Sequence, residues 1–360
     1  MDNGFYRSDC LFFKGDLPCK PHKENGYHCN NCLAYKKISK RILIIKLGAI
    51  GDVIRTTPLI GTYKSLYPDC KITWLTHTPA ILPNGKIDEI LKFDYASALY
   101  LENAEFDIAI NLDKEKEASA LLLKVKAAEK YGYILKDNVS QPVNELAHHK
   151  YHTGLFDDVS KANTLNYCQE IYAMCNLKYN GEPYQLDNHA DKGYTWSQID
   201  FSKKVIGLNT GCGDRWTTRL WPLSYFADLA KKLLSAGYEV LLLGGEQEDA
   251  RNKEIAQLSG AKYLGFFPLP QFINLIDQCE LVVTQVTMGM HLTLGLQKKI
   301  VLMNNIFNPN EFDLFGKGKI IMPDKTCECF YRGQCKLGES CMKDLPVDKV
   351  LHAVEEVISI

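Results

Sequence analysis

The sequence has no excess of charge of either sign. Its 360 residues carry 42 lysines and arginines against 43 aspartates and glutamates, and the formal net charge is −1 at pH 7. Proteins that bind nucleic acid or an anionic membrane by general electrostatic attraction typically have a basic surplus. The balance of charge therefore gives no argument for either, and we expect no nucleic-acid partner.

The sequence also lacks a long hydrophobic run. Its most apolar stretches, such as Val240 to Leu243, are far shorter than the ~20 residues that a membrane-spanning helix needs. The first sixteen residues, MDNGFYRSDCLFFKGD, do not combine a basic start with a long apolar segment, as a secretory signal does. These absences predict a cytoplasmic protein, and peripheral contact with the inner membrane is compatible with them.

The length and composition favour two globular domains. At ~100–200 residues per domain, a chain of 360 residues suffices for two domains that each bury a core. We place the boundary in the polar, turn-rich stretch 187–202, with one domain over residues 38–190 and a second over residues 200–325. Residues 1–37 are expected to form a small cysteine-rich appendage, and residues 326–360 a cysteine-containing tail that ends in a helix.

The first domain alternates short apolar strands with helices, which is typical of βαβ units and a parallel sheet. The predicted strands are 41–47, 71–76 and 106–112, and the first of them is nearly continuous in apolar residues, as a strand buried on both faces would be. A helix with Thr57 as its cap follows the first strand, and a second helical stretch is predicted from Glu115 to Glu129.

The same pattern restarts in the second domain. The predicted strands are 203–211, 238–245, 281–284 and 298–305. Ser224 is expected to cap the helix that follows the first of these strands. In the final helix, the predicted buried side contains Val350, Val354 and Val357.

The expected fold is therefore α/β, with two Rossmann-like domains in tandem. Each domain opens with a strand, a glycine turn and a helix, and ligands of such domains bind at the carboxyl ends of the strands. Two such edges that face one another would form a central cleft with one binding region in each domain.

The first candidate site residue is Asp52, in the turn Gly48-Ala49-Ile50-Gly51-Asp52. The glycines let the backbone turn tightly between strand and helix, which places Asp52 at the floor of the cleft. A carboxylate there is able to accept a proton from a substrate hydroxyl as the hydroxyl attacks. The alternative is that Asp52 only caps the helix, since aspartate is a preferred N-cap residue.

The second candidate is the loop Gly211–Pro222, which follows the first strand of the second domain. Its glycine amides and the two arginines Arg215 and Arg219 suit a pyrophosphate, which needs several donors and positive charge. The alternative is a solvated surface loop, because basic loops are common on protein surfaces.

Two further candidates follow strands at the same edge. Thr287 opens a helix whose free amides and partial positive charge favour a phosphate, and His291 points either to that phosphate or into the core. Glu246 lies at another strand end, where a carboxylate accepts hydrogen bonds from ribose hydroxyls. The alternative for Glu246 is an acid that the helix dipole favours without any ligand.

Eight of the 13 cysteines fall into two clusters. The cluster near the N-terminus is Cys10, Cys19, Cys29 and Cys32, and it contains one C-x-x-C pair. A second candidate set near the C-terminus is Cys327, Cys329, Cys335 and Cys341. In a reducing compartment, clustered thiolates suit a structural zinc or iron ion. The alternative is that these cysteines are reduced and free.

Taken together, these segments resemble one known family. RILIIKLGAIGDVIRTTPLI resembles the opening of glycosyltransferase family 9, the ADP-heptose:lipopolysaccharide heptosyltransferases. The segments IGLNTGCGDRWTTRLWPLSYFADLA, VLLLGGEQE and MGMHLTLGL follow in the order of that family. The resemblance extends from Arg41 to the C-terminus, and the spaced cysteines are similar to those of a cysteine-rich branch.

The resemblance implies a GT-B fold, with the acceptor bound by the first domain and the nucleotide-sugar donor by the second. It implies inversion at the anomeric carbon without a catalytic metal. It assigns Asp52 as the catalytic base and Gly51 and Arg55 to the acceptor side. The residues that it assigns to the donor are Thr210, Gly211, Arg219, Glu246, Thr287, Met288, Gly289 and His291.

The expected function is transfer of a sugar, heptose from ADP-heptose, to a hydroxyl of a lipopolysaccharide-core, lipid-linked or other glycan acceptor. Val286 stands where the family usually has aspartate, and Met288 where it usually has glycine. Three alternatives therefore stay open. They are a glycosyltransferase with a different donor or a protein acceptor, an epimerase or hydrolase of the nucleotide sugar, and a non-catalytic metal-binding protein on the same scaffold.

Overall fold

The computed structural model describes residues 5–213, 216–325, 327–336 and 338–359, and it contains two six-stranded sheets. The strands of the first sheet are β1 (Arg41–Ile45), β2 (Lys71–Thr76), β3 (Glu89–Lys92), β4 (Glu105–Asn111), β5 (Lys126–Lys136) and β6 (Val139–Pro142). The helices of this half are α1 (Lys20–Asn25), α2 (Ile50–Thr56), α3 (Pro58–Leu66), α4 (Tyr95–Asn103), α5 (Lys116–Lys124), α6 (His148–Thr153), α7 (Asp157–Ala162) and α8 (Tyr167–Met174).

The second half repeats the arrangement. Its strands are β7 (Val205–Asn209), β8 (Glu239–Leu243), β9 (Lys262–Tyr263), β10 (Leu281–Gln285), β11 (Lys299–Met303) and β12 (Gly318–Ile321). Its helices are α9 (Leu223–Ser235), α10 (Asp249–Ser259), α11 (Leu269–Asp277), α12 (Met288–Gly295) and α13 (Val347–Ser359).

The two sheets have the same strand order. The first runs β3-β2-β1-β4-β5-β6 and the second runs β9-β8-β7-β10-β11-β12. All pairs are parallel except the β5–β6 hairpin. In each sheet the order reverses between the first and fourth strands, which is the point where α/β sheets bind ligands. The expected pair of Rossmann-like domains is thus confirmed.

The apolar run in β1 is explained by burial on both faces. Alternate residues of a strand point to opposite sides, and Ile42 and Ile44 join one core cluster while Leu43 and Ile45 join another. The larger cluster also contains residues of the second half, such as Ile273 and Val282. A continuous apolar core therefore connects the two domains.

The predicted helix from Glu115 to Glu129 is wrong over its last five residues. Helix α5 ends at Lys124, and β5 begins at Lys126. The eleven residues of β5 pair in parallel with β4, so that tertiary pairing overrides the local helical pattern. At Gly132 in β5 a side chain would overlap the Asn111 carbonyl, and its φ of +90° also favours glycine.

One of the two predicted helix caps is wrong. Pro222 rather than Ser224 is the N-cap residue of α9. Thr57 is the N-cap residue of α3, as predicted, but its hydroxyl donates to the Ile54 carbonyl instead of accepting a hydrogen bond from the start of α3. The same hydroxyl accepts a hydrogen bond from Gln185 N at 2.8 Å, which ties the connecting segment to the first domain.

The C-terminal helix is confirmed as an amphipathic helix. Val350, Val354 and Val357 are buried on its inner side, as expected. The helix covers the second sheet and packs against α9, β11 and β12. Within the described residues, no helix is long and apolar enough to cross a membrane.

Replacing Val354 with alanine tests the packing of α13. The side chain is fully buried, and losing two methyl groups and leaving a cavity should lower the free energy of unfolding by about 2 kcal/mol. Val139 is 48% exposed in the β5–β6 hairpin, so Val139→Ala should change it by less than about 0.5 kcal/mol. Urea denaturation of both variants measures the difference, and equal losses would contradict this packing.

Candidate active site

A cleft of about 850 Å³ lies between the two domains, at the carboxyl ends of both sheets. The first domain contributes the turn after β1 and the start of α2. The second contributes the loops after β7, β8 and β10, the start of α12, and residues that follow β11. The predicted ligand-binding edges of the two sheets thus face the same cleft.

Asp52 lies in the first turn of α2 and lines the cleft. Ala49 is the N-cap of that helix, and no side chain caps it. The helix-capping alternative for Asp52 is therefore wrong. The carboxylate is 42% exposed, and its Oδ1 lies 3.5 Å from a guanidinium nitrogen of Arg55. A solvent-accessible carboxylate at this position is able to take a proton from a bound hydroxyl.

A buried ion pair beneath the turn fixes its backbone. The carboxylate of Asp113, just after β4, accepts hydrogen bonds from the Lys46 ammonium and from Leu47 N. The Lys46 ammonium also donates to the Gly48 carbonyl. Sequence reasoning missed this pair, although a lysine at the end of an apolar strand was a usable signal. The pair holds the turn that presents Asp52.

Arg55 forms a buried ion pair across the domain boundary. One of its nitrogens lies 2.8 Å from Oε1 of Glu311, and its guanidinium stacks 3.6 Å from the centre of the Tyr167 ring. Glu311 Oε2 also accepts a hydrogen bond of 2.6 Å from the Tyr331 hydroxyl. Burial alone would lower the pKa of Arg55, but the carboxylates of Glu311 and Asp52 raise it well above its ordinary value.

This arrangement changes the expected role of Arg55. The resemblance assigned it to the acceptor, and it does line the cleft, yet its charge already serves the contact with Glu311. Glu311 and Tyr331 were not singled out from the sequence. No local motif could have found them, because Glu311 is 256 positions from its partner.

Arg219 lies in the opposite wall. Its guanidinium donates to the main-chain carbonyls of Val286, of Cys212 at 2.8 Å and of Trp216 at 3.3 Å. Within the described part of the chain no carboxylate pairs with it, and burial lowers its pKa. Its guanidinium also lies 5.4 Å from the centre of the Phe307 ring. Because carbonyls and an aromatic ring do not neutralise a cation, Arg219 retains its charge for an anion in the cleft. Arg215, the other predicted arginine, lies outside the described residues.

The start of α12 faces the same wall. Thr287 is the N-cap, and its hydroxyl accepts hydrogen bonds of 3.1 Å from Gly289 N and from Nδ2 of Asn209. A side chain at Gly289 would lie within 2.9 Å of Asn209 Nδ2, so the close approach requires glycine. Met288 and Gly289 both line the cleft, where the positive end of the helix favours an anion.

The turn after β8 brings two acids to the rim. Glu246 is exposed and lines the cleft. Glu248, which sequence reasoning missed, accepts a hydrogen bond of 2.9 Å from Gly245 N and packs over Gly211. A Cβ at Gly211 would overlap the Glu248 side chain, which would have to move to admit a larger residue there.

Of the predicted donor contacts, Thr210 is wrong, whereas His291 stays a prediction. Thr210 is completely buried and does not line the cleft, because its hydroxyl donates to Oδ1 of Asn252 at 2.5 Å. His291 does reach the cleft, but its ring packs against Gly51, where a Cβ would overlap Cδ2 of the ring. Burial, with the charge of Arg55, lowers the pKa of His291 well below its ordinary value. His291 is therefore neutral at pH 7 and offers no positive charge to a phosphate.

The structure describes both predicted cysteine sets and brings each together, although no three of their sulfur atoms lie within 4.8 Å of one another. The N-terminal four line one small apolar cavity with Phe12, Phe13, Tyr27 and Tyr35. The C-terminal four line a cavity of about 220 Å³ beside the Arg219 loop. Among the described residues, the one group of three that meets this distance is the exposed set His77, Glu115 and Glu117.

Removing the charge of Glu311 tests the interdomain ion pair. In Glu311→Gln, Arg55 stays buried with only the more distant Asp52 as a counter-charge, so the free energy of unfolding should fall by about 3 kcal/mol. Glu280→Gln, which removes a surface pair with Lys299, should cost less than about 1 kcal/mol. Urea denaturation compares the two, and a similar small loss in both would show that the pair does not hold the domains.

Comparison with known proteins supports these features. A family model described as "Glycosyltransferase family 9 (heptosyltransferase)" matches residues 96–333. Lipopolysaccharide heptosyltransferase 2 of Escherichia coli K12 is 28% identical over 132 residues, which are 34% of this chain and 38% of that protein. The aligned part is thus well under half the length of that relative.

Solved structures show the same fold. The Escherichia coli ADP-heptose lipopolysaccharide heptosyltransferase II gives a TM-score of 0.65 at 20% identity, over 89% of this chain and 98% of that one. The dodecameric iron-containing heptosyltransferase TibC, solved with ADP-D-β-D-heptose, gives a TM-score of 0.56 at 12% identity, over 90% and 77%. At these identities the likeness concerns the fold.

Two Rossmann-like domains that face a cleft in this way constitute the GT-B fold. The chain belongs to glycosyltransferase family 9, the heptosyltransferase family, since the family model matches about two thirds of it. The resemblance recognised in the sequence motifs is confirmed.

Proposed function

We propose that this protein is an inverting glycosyltransferase that moves a heptose from ADP-heptose to a hydroxyl of a lipopolysaccharide-core or other glycan acceptor. One observation carries the proposal. The accessible carboxylate of Asp52 and the buried guanidinium of Arg219, which has no carboxylate partner among the described residues, line opposite walls of one cleft. Family membership and a structural neighbour solved with ADP-D-β-D-heptose support the choice of donor.

The reaction is a single displacement. Asp52 takes the proton of the acceptor hydroxyl while the oxygen bonds to the anomeric carbon, and the bond from that carbon to the diphosphate oxygen breaks. Attack from the face opposite the leaving group inverts the anomeric centre. Arg219 and the positive end of α12 stabilise the negative charge on the departing diphosphate.

The remaining donor contacts are proposed from their places in the cleft. Gly211, Met288 and Gly289 offer backbone close to the diphosphate, and Glu246 is exposed at the rim, where it would accept from the ribose. Gly51 contributes to the acceptor side through its contact with His291 rather than through a side chain.

A different nucleotide-sugar donor is the second candidate. Val286 stands where the family usually has aspartate, and here its carbonyl binds Arg219. A carbonyl leaves the full charge of the guanidinium uncompensated, whereas a carboxylate would neutralise it. The replacement of aspartate by Val286 therefore affects the half of the cleft that is proposed to bind the donor.

Replacing Asp52 with asparagine tests the role of the base. The amide of the Asp52→Asn variant keeps the size of the side chain but does not accept a proton at neutral pH, so turnover should fall by about 10²–10⁴-fold. The affinity for the donor should stay nearly unchanged, because the donor contacts lie in the other domain. Steady-state kinetics and donor titration measure the two effects.

Asp137→Asn is the matched control for this variant. Asp137 lies in the exposed turn of the β5–β6 hairpin at a φ of +52°, a conformation that asparagine tolerates. It should retain full turnover. Wild-type turnover in Asp52→Asn would remove the base assignment.

We also propose that the protein acts in the cytoplasm and meets a lipid-linked acceptor at the inner membrane. The contact would be peripheral. The small-molecule donor and the glycan acceptor account for both halves of the cleft, so that no nucleic-acid partner is needed.

A structural zinc or iron ion bound by cysteines is a further part of the proposal, with no metal in catalysis. In the C-terminal set the Cys329 and Cys335 sulfurs are 3.7 Å apart, and Cys341 Sγ accepts a hydrogen bond of 3.4 Å from Asn305 Nδ2. Main-chain amides donate to Cys327 Sγ at 3.4 Å and to Cys329 Sγ at 3.3 Å. Such bonds are typical of metal-bound thiolates. The iron-containing neighbour supports the same idea.

This cysteine segment also braces the Arg219 loop. The Ser340 hydroxyl and Nδ2 of Asn305 both donate to the Thr218 carbonyl, at 2.5 and 2.9 Å. The Thr218 hydroxyl in turn donates to the Arg332 carbonyl at 2.9 Å. A metal that ordered the segment would therefore order the wall that carries Arg219.

Elemental analysis of purified protein tests the metal. We expect one zinc or iron ion per chain, and Cys335→Ser should lose most of it because one ligand of four is gone. Cys29→Ser tests the N-terminal set, and loss of the metal in this variant would place the ion there. Cys279→Ala lies outside both sets and should retain the metal. Wild-type protein free of zinc and iron would mean that the cysteines are free thiols.

A further inference from the structure

Three side chains outside the catalytic cleft converge at one edge of the first sheet. His77 directly follows β2, and Glu115 and Glu117 lie at the start of α5, just after β4. One ligand atom of each, an imidazole nitrogen or a carboxylate oxygen, lies within 4.8 Å of the other two. None of the three residues lines the cleft. We call them the His77 triad.

The strand order explains why these segments meet. β2 and β4 pair with β1 on either side of it, and the three strands are parallel, so that their carboxyl ends share one edge. The backbone N–H of His77 donates to the Leu47 carbonyl at 2.9 Å, in the turn after β1. The His77 triad therefore spans the end of β1, beside the turn that presents Asp52.

The His77 ring has a defined orientation although it is exposed. It packs edge-on against the Phe93 ring, with the two ring centres 5.4 Å apart. Its Cδ2 atom lies 3.9 Å from the position that a Cβ would take at Gly48. In the described part of the chain, no donor or acceptor binds either nitrogen of this ring. The packing thus fixes the imidazole and leaves its nitrogens available to a ligand.

The two carboxylates of the triad lack a counter-charge. Among the described residues, no lysine, arginine or histidine nitrogen lies within 4.0 Å of an oxygen of Glu115 or Glu117. The buried Lys46 ammonium is already paired with Asp113. Partial burial and the carboxylates of Asp113 and Glu117 raise the pKa of Glu115, against the opposing effect of Lys46 and His77. A bound cation would relieve this repulsion between carboxylates.

The donor set is typical of a transition-metal site. An imidazole nitrogen with carboxylate oxygens suits Zn²⁺, Mn²⁺ or Fe²⁺, whereas Ca²⁺ and Mg²⁺ select oxygen ligands alone. Three atoms at most 4.8 Å apart all lie within about 2.8 Å of one point, and metal–ligand bonds are about 2.0–2.2 Å, so each side chain has to move by less than about 1 Å. The positive end of α5 explains acids at its start, but not an imidazole from another segment that meets them.

We propose that the His77 triad binds a divalent transition-metal ion through the His77 imidazole and the carboxylates of Glu115 and Glu117, with water in the remaining positions. The ion would link the ends of β2 and β4 across β1 and so brace the turn that carries Asp52. It lies outside the cleft and takes no part in sugar transfer. Its nitrogen and oxygen ligands distinguish it from the ion proposed for the cysteines, and the proposal does not depend on the proposed function.

Titration with Mn²⁺, followed by electron paramagnetic resonance, tests the site. Mn²⁺ prefers oxygen and nitrogen ligands and is a weak competitor for thiolates, so it leaves a cysteine-bound ion in place. After a chelating resin has removed loosely held ions, the signal of free Mn²⁺ should fall by one ion per chain. Glu115→Gln and Glu117→Gln should each weaken binding by about tenfold or more, because a neutral amide replaces a charged ligand.

A pulsed measurement on the bound Mn²⁺ examines the imidazole. A nitrogen that coordinates the ion produces a hyperfine coupling in the electron spin echo. This coupling should be present in the parent and absent in His77→Gln. An ion held only by scattered surface carboxylates would show no nitrogen coupling in the parent, and that result would overturn the proposal.

Two control variants make the result specific. Glu102→Gln removes an exposed carboxylate of α4, and Asp52→Asn removes the accessible carboxylate of the cleft, so both should bind Mn²⁺ as the parent does. The three triad residues are exposed, and their variants should fold normally, which far-ultraviolet circular dichroism checks.

Three further outcomes would overturn the site. They are no Mn²⁺ binding in the parent, unchanged binding in both glutamine variants of the triad, and loss of binding in Asp52→Asn, which would place the ion in the cleft. None of these measurements uses a transfer assay. A protein without transferase activity that binds Mn²⁺ through His77 would therefore overturn the proposed function and keep the metal site.

Discussion

The ion pair between Arg55 and Glu311 is the contact on which the geometry of the cleft depends. The two residues come from different domains, and Arg55 is buried while Glu311 is 18% exposed, so the carboxylate supplies much of the free energy that hydration of the guanidinium would otherwise supply. Arg55 also lies within 3.5 Å of Asp52. Arg55 therefore contributes both to the contact between the two domains and to the orientation of the Asp52 carboxylate in the cleft.

The two walls of the cleft differ in how their charges are supported. On one side, Asp52 is accessible and has a nearby cation. On the other, Arg219 is held by three main-chain carbonyls, which fix its position and leave its charge available. A reaction that removes a proton at one wall and releases an anion at the other needs this asymmetry.

Much of the fold and part of the site could be predicted from the sequence. Strands such as β1 and β2 were predicted because a strand buried on both faces leaves a continuous apolar run, and Asp52 because a glycine turn follows such a strand. The beginning of β5 was not predicted, because its pairing with β4 leaves no local signal. Glu311 was missed for the same reason, since only the folded chain brings it to Arg55.

The donor wall shows a different limit. Sequence motifs identified the segments that reach the cleft, but not which side chain of each segment faces it. Thr210 turns inward to Asn252, and the ring of His291 serves as packing against Gly51. Which residue of a motif points outward depends on a partner elsewhere in the fold, and the motif does not contain that partner.

The apolar core that connects the two domains has a consequence for how the chain holds together. The cluster containing Ile44 of the first sheet also contains Val282 of the second and the inner side of α12. A half produced alone would present that face to water as a continuous apolar patch, which promotes self-association. If the chain were separated at its linker, the two halves should therefore aggregate instead of folding as independent, active domains.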